Sequence, residues 1–234
     1  DDSYKTSADN QALRYVTLYP SRGIIYDRKG ELLAFNEAAY DLMVVPRQVN
    51  RKMDTTFFCN LIDITKEEFL KKIERAKSYS YYRSSAFEKQ IPADEWAAIS
   101  ERLYQFPGFF GQKRTLRRYP KKVAGHVLGY IGEVNQNQID EDSYYQKGDY
   151  IGVSGLEKTY ENELRGERGV QVLMVDVHNS VKGNYMNGEL DSLPEPGKDL
   201  TTTLDRELQA YGEKLMQNKK GSIVAIEPKT GEIL

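Results

Sequence analysis

Apolar positions recur along this chain with two periods, and each period predicts a different element. Alternation of period two predicts strands at Ile24–Tyr26 and Leu32–Asn36 around a turn at Asp27-Arg28-Lys29-Gly30, and a further strand at Tyr40–Val45 that stops at Pro46. Before them, the polar opening predicts a short helix over about Ser7–Tyr15. From about residue 47 to 112 the spacing turns helical. Thr65-Lys-Glu-Glu68 is a capping box opening a helix whose apolar face is Phe69, Ile73 and Ala76, and Ala93–Gln105 repeats that spacing with Trp96, Ile99 and Leu103. The block reads as a small lobe inserted between β segments.

Further along, Ser154-Gly155-Leu156-Glu157 is another capping box. It predicts one helix with Leu156, Tyr160 and Leu164 on a single face and Gly166 to stop it. Val170–Val177 predicts a strand, Pro194-Glu-Pro-Gly197 a bend, and Asp205–Gln217 a helix with Leu208, Tyr211 and Leu215 inward. At the end, Ser222–Glu227 predicts a strand, Pro228–Gly231 a tight turn, and Glu232–Leu234 the start of a returning strand. A hairpin that stops after three residues leaves an open edge, so the expectation is the front portion of a longer protein.

Composition changes this picture in one respect. The hydrophobic share is 39%, and exchanging the 17 tyrosines for the 18 glycines leaves roughly 40%, under the roughly 45–50% of compact chains. An elongated or multi-lobed α+β shape is therefore expected of the 234 residues. Thirty-three basic residues against 35 acidic ones give a net charge of −2, so no global field draws in nucleic acid. One cysteine, Cys59, forms no internal disulfide, and with only His126 and His178 no Cys/His zinc site can be assembled. No apolar run approaches the roughly 20 residues that span a bilayer.

Candidate chemistry is sparse. None of the serines has a lysine three residues later, so the Ser-x-x-Lys nucleophile is absent, and Lys229-Thr230-Gly231 without its partners reads as a turn. Gly152-Val-Ser154-Gly155 misses the nucleophile-elbow spacing, and no phosphate-cradling loop or cofactor pattern is present. Lys113, Arg114, Arg117, Arg118, Lys121 and Lys122 crowd six cations into ten residues. They read as a charge-protected strand edge or, alternatively, as an anionic-polymer patch. Ser78-Tyr-Ser-Tyr-Tyr-Arg83 reads as an aromatic loop buried in the fold, against stacking on sugar or on a partner surface.

The segment Ser21–Gly30 is denser in special residues than a strand and turn require. Gly23 and Gly30 permit backbone that other residues avoid, while Arg22, Asp27 and Arg28 can make bidentate pairs, which suits a structural clamp. Glu157 is expected to pair with Arg22 or Arg28. The competing reading is that it only completes the capping box with Ser154.

Three motifs in order resemble the non-catalytic N-terminal region of class B penicillin-binding proteins. They are Arg22-Gly23-x-x-x-Asp27-Arg28-x-Gly30 followed by Leu33-Ala34-x-Asn36; Arg117-x-Tyr119-Pro120 followed by His126-Val-Leu-Gly129-Tyr130; and Gly152-x-x-Gly155-x-Glu157 running on to Leu164-x-Gly166-x-x-Gly169. Leu204-Asp205 and Gly221–Leu234 resemble the family's linker and opening strand, and Phe106-Pro107-Gly108 with Tyr40-Asp41-Leu42 favours the elongation-specific branch. In one departure, Lys122 stands where the family usually has glycine, on a shortened path to His126.

The resemblance implies a β-rich pedestal over 1–46 and 113–204, an inserted α-rich head lobe over 47–112, and a linker helix with the start of a transpeptidase domain over 205–234. It implies a parent that is a serine D,D-transpeptidase cross-linking peptidoglycan outside the cytoplasmic membrane, anchored by one N-terminal helix. Its nucleophile would lie beyond Leu234, so no catalytic, cofactor or metal residues are expected here. Implied partners are the protein's own transpeptidase domain, a RodA-class glycosyltransferase and an MreC-type scaffold. The implied structural residues are Arg22, Gly23, Asp27, Arg28, Gly30, Arg117, Tyr119, Pro120, Gly152, Gly155, Glu157, Gly166, Gly169 and Asp205. A division-specific or resistance-type pedestal of the same class is the alternative.

Overall fold

The computed structural model describes residues 13–50, 52–175 and 181–234. In chain order the strands are β1 (Leu13–Leu18), β2 (Ile25–Tyr26), β3 (Leu32–Val44), β4 (Ser85–Pro92), β5 (Phe109–Arg118), β6 (Ile131–Glu133), β7 (Tyr150–Gly152), β8 (Gly169–Val175), β9 (Val181–Asn184) and β10 (Leu200–Thr201). With the intervening helices they make the α+β mixture expected. The expected helix over Ser7–Tyr15 falls outside the described residues up to Ala12, and Leu13–Tyr15 lie in β1. The two strands expected at Leu32–Asn36 and Tyr40–Val45 are one, β3, because Glu37–Ala39 stay extended between them. β1, β8 and β9 form a three-stranded sheet in that order.

The chain divides into two compact units. One gathers Glu37–Leu116 with the described parts of Asp1–Arg14 and Leu173–Gly183; the other gathers Tyr15–Asn36, Arg117–Val172 and Asn184–Leu234.

In the first unit β3 pairs antiparallel with β4, Tyr40 opposite Ile91 and Val44 opposite Ser85, and β5 also joins β3. The helix Thr55–Leu61 is capped by Asp54, and Lys66–Tyr79 by the full reciprocal box of Thr65 and Glu68. Phe58 is sealed at the centre, its ring 4.4 to 5.9 Å from those of Phe109, Phe106, Phe69 and Phe87. Such pairs contribute about 0.5–1.5 kcal/mol each beyond their buried area, so this aromatic knot sets where the helices pack. The helix expected over Ala93–Gln105 ends at Ser100. Arg102 N–H bonds Ile99 C=O at 3.1 Å, tightening the chain into a separate turn over Leu103–Gln105. The Tyr-rich loop after the Lys66–Tyr79 helix is exposed, contrary to expectation, because Phe69, Ile73 and Ala76 already fill the buried face.

In the second unit the opening of β3 pairs antiparallel with β2, and β10 pairs parallel to β2 with Leu200 opposite Ile25. Ile25, Leu33, Ala34, Val123, Ala124, Leu128, Leu164 and Leu204 form its core. β6 and β7 make a short antiparallel ladder, Gly132 opposite Ile151.

Several expectations are corrected in this second unit. The single helix after Ser154 is two short ones, Gly155–Thr159 and Glu161–Leu164, broken where Tyr160 leaves helical geometry at φ −105°, ψ 28°. Ser154 makes no side-chain capping bond, and the Glu157 side chain, which would supply the reciprocal half of the box, is instead held in ion pairs. Pro194–Gly197 runs extended instead of bending, with Glu195 bridged to Glu167. Leu208, Tyr211 and Leu215 are exposed on the helix Arg206–Met216, since it is Ala210 that packs on the core. The closing hairpin reduces to one bridge, Ile226 with Ile233, around the turn after Glu227.

Candidate functional site

Two polar nodes in the second unit gather most of the motif residues. The first is built on Glu157, wholly buried at 0% exposure in the helix Gly155–Thr159. Arg22, just before β2, places Nε 2.7 Å from Glu157 Oε2 and Nη2 2.9 Å from the Glu157 carbonyl. The same guanidinium forks onto Glu161, at 3.1 Å and 2.7 Å to its two oxygens. Arg117, in β5, donates from Nε to Glu157 Oε1 at 2.7 Å and from Nη1 to the Gly23 carbonyl at 2.7 Å. Asn36 closes the ring, accepting from Arg117 at 3.1 Å and donating to the Arg22 carbonyl. Tyr119 and Tyr145 donate to Glu157 and Glu161 at 3.3 Å and 2.8 Å.

Two arginines face two glutamates, so the formal charge of the node is zero. Each carboxylate oxygen receives a charge-assisted or amide donor, the condition under which a buried ion group is tolerated. Burial pushes the Arg22 pKa down, but Glu161 and Glu157 more than offset it and hold it above its usual value. Burial, reinforced by the Glu157 charge, pushes the Tyr119 hydroxyl up to about 12. Arg22 is thus held in its charged form and Tyr119 in its neutral form, and the fixed, reciprocally paired geometry is that of a fastener.

The glycines of the third motif serve this node by close approach. A Cβ on Gly152 would meet the Glu157 carbonyl at 2.1 Å, and one on Gly155, whose φ is +60°, would meet the Val127 carbonyl at 2.4 Å. Gly152 also donates its N–H to Glu161 at 2.8 Å. Gly166 and Gly169 lie against the extended segment Ser192–Gly197, and Gly23 against the Lys198 carbonyl.

The second node is the turn after β2. Asp27 is buried and accepts from the backbone N–H groups of Lys29 and Glu31 at 2.8 Å and of Arg206 at 3.2 Å. Burial alone would raise its pKa, but those amides and the nearby Arg206 charge hold it below the usual carboxylate range. Arg28 does not reach Glu157. It reaches Glu227 at 3.1 Å and Glu232 at 3.4 Å, while Lys29 pairs with Asp205, the N-cap of the Arg206–Met216 helix, at 2.8 Å. Asp205 is held below its usual pKa by Lys29 and by the amides it caps.

Pro120 is exposed and belongs to neither node, and Gly30 serves the turn alone, at φ +79°. Of the six crowded cations, Arg117 is spent in the clamp and Arg114 on Asp41 at 3.0 Å, while Lys113, Arg118, Lys121 and Lys122 are exposed. The sequence reading missed Glu161 and Tyr145. Glu161 had a signal, standing four residues after Glu157 and so on the same helical side. Among the described residues no cluster of His, Cys, Asp and Glu could hold a metal ion.

Residues 17–202 match the penicillin-binding protein dimerisation domain family. The chain is 33% identical over its whole length to the peptidoglycan D,D-transpeptidase MrdA of Acinetobacter baumannii, covering 35% of that protein. It is 30% identical over 99% of its length to MrdA of Escherichia coli K12, covering 37% of it. It thus spans about a third of the curated relatives it matches. Among solved structures it superimposes with a TM-score of 0.67 and 26% identity on a chain from the complex between penicillin-binding protein PBP2 and MreC from Helicobacter pylori. That match covers 95% of this chain and 42% of the other.

Proposed function

The chain belongs to the penicillin-binding protein dimerisation domain family, and from that premise we propose that it is the pedestal of an elongation-type peptidoglycan D,D-transpeptidase. The observation that carries this reading is the second node, where a motif turn grips Asp205, Arg206, Glu227 and Glu232. Residues 205–234 are, on this reading, the linker and opening of the catalytic domain, with 1–46 and 113–204 as pedestal and 47–112 as head lobe. The two nodes hold charge without offering a reacting group, which suits a support. The parent protein is anchored at the outer face of the cytoplasmic membrane and cross-links stem peptides there. An MreC-type scaffold is its partner, as PBP2 from H. pylori has MreC in its complex, and a RodA-class glycosyltransferase is the second.

The experiment is acylation by a fluorescent penicillin. These 234 residues should take up no label, while the same chain continued through its downstream domain should be labelled and should bind a purified MreC-type scaffold. Label on the 234 residues alone overturns the reading. An anionic-polymer module through Lys113–Lys122 is disfavoured, because Arg114 and Arg117 are already spent on carboxylates.

A further inference from the structure

The Tyr-rich loop in the first unit is exposed yet tied to its neighbours. Tyr79, Tyr81 and Tyr82 leave 56%, 43% and 63% of their surface open, yet the loop is tied at several points. Tyr82 N–H and Arg83 N–H both donate to Ser80 Oγ, at 3.2 and 3.0 Å, and the Tyr81 carbonyl accepts from Arg47 N–H at 3.0 Å. The rings of Tyr81 and Tyr82 stand 5.5 Å apart and at 87° to each other. The Arg47 guanidinium lies 5.1 Å over the Tyr82 ring. Arg47 and Arg83 are both exposed.

We propose that this loop is a docking platform for a carboxylate-bearing glycan, of the kind found in peptidoglycan strands before cross-linking. A pyranose ring presents a face of C–H groups that stacks on a tyrosine, and the stem peptides carry carboxylates that an arginine fork reads. Backbone already held by hydrogen bonds loses little freedom on binding, and tyrosine has only two side-chain torsions to lose. The perpendicular rings, one of them covered by a charge, form no flat apolar patch from which a protein partner could exclude water. They suit an extended polymer instead, with aromatic faces for the rings and cations beside them for the charges, as single-stranded polyanions are held elsewhere. The inference rests on the pedestal reading for its substrate class.

The test is co-sedimentation of the 234-residue chain with purified insoluble peptidoglycan, with chitin as an uncharged glycan. The unaltered chain should sediment with peptidoglycan and bind chitin more weakly. The Tyr81→Ala, Tyr82→Ala double variant should lose affinity by roughly tenfold or more, and Arg47→Gln, Arg83→Gln should erase the preference over chitin. Thermal unfolding by circular dichroism verifies that the exposed substitutions leave the fold intact. Sedimentation of the tyrosine variant at the unaltered level overturns the proposal, as does equal binding to both glycans. Failure to sediment while the longer protein still takes up penicillin removes the platform and leaves the pedestal standing.

Discussion

Glu157 holds two arginines on one carboxylate, Arg22 on Oε2 and Arg117 on Oε1, each at 2.7 Å, with no solvent reaching the acid. Arg22 has a second acid in Glu161, whereas Arg117 turns otherwise to the neutral oxygens of Gly23 and Asn36. Among the described residues, the Glu157 carboxylate is the charge paired with Arg117 in the interior.

Glu157→Gln should therefore cost about 3–5 kcal/mol, the range for breaking one side of a buried ion pair. Urea unfolding followed by far-ultraviolet circular dichroism measures it. A loss near 1 kcal/mol, the worth of a helix cap, would return Glu157 to the capping role.

Asp27 gives the fold a dependence on acid. Its pKa is depressed in the folded state, so its stabilisation is complete above the unfolded value of about 3.9 and is lost as pH falls through the folded value. The unaltered chain should lose more stability than Asp27→Asn as pH drops below about 4, measured as Tm across an acid series. Parallel curves for the two proteins would contradict this.

Tyr119 sets the opposite limit. Its folded pKa is raised to about 12, so the stabilisation it brings is complete below the unfolded value of about 10 and is lost as pH rises through about 12. Between those values Tyr119→Phe should lose stability less steeply than the unaltered chain. The 295 nm absorbance titration should also show one tyrosine fewer ionising late.

Glycines divide by what surrounds them. Gly152→Ala drives a methyl group into the Glu157 backbone and should cost about 3 kcal/mol or more, the upper range of overpacking. At Gly30 a methyl group would have nothing within 4 Å of it, and only the φ of +79° stands against it, so Gly30→Ala should cost about 1–2 kcal/mol. Equal losses in the two variants would remove the packing explanation.

Arg28 is the contrasting charge. It is about one-third exposed with both its partners, so Arg28→Ala should cost under about 1 kcal/mol and the cost should shrink in high salt. A large, salt-independent loss would show that the turn's grip on Glu227 and Glu232 is buried in solution.

What the sequence carried by itself was local and periodic. The Thr65–Glu68 box, the Phe69-Ile73-Ala76 face, the Asp27–Gly30 turn and the Asp205 cap are decided within a few residues, where hydrogen-bond partners and side-chain spacing are set by the chain's own geometry. The pairing of Glu157 with Arg22 was also expected, whereas Arg117 entered among the structural residues through the family resemblance and not as a partner of Glu157. Tertiary structure decided the rest, because burial is a property of neighbours far along the chain. It sent Arg28 to Glu227 and Glu232 instead of Glu157, and recruited Glu161. It broke the helix at Tyr160, where the fixed carboxylates of Glu157 and Glu161 outweigh the propensity of a continuous run. It left Leu208, Tyr211 and the Tyr79–Tyr82 loop outside, since an apolar face goes inward only when some other segment arrives to cover it.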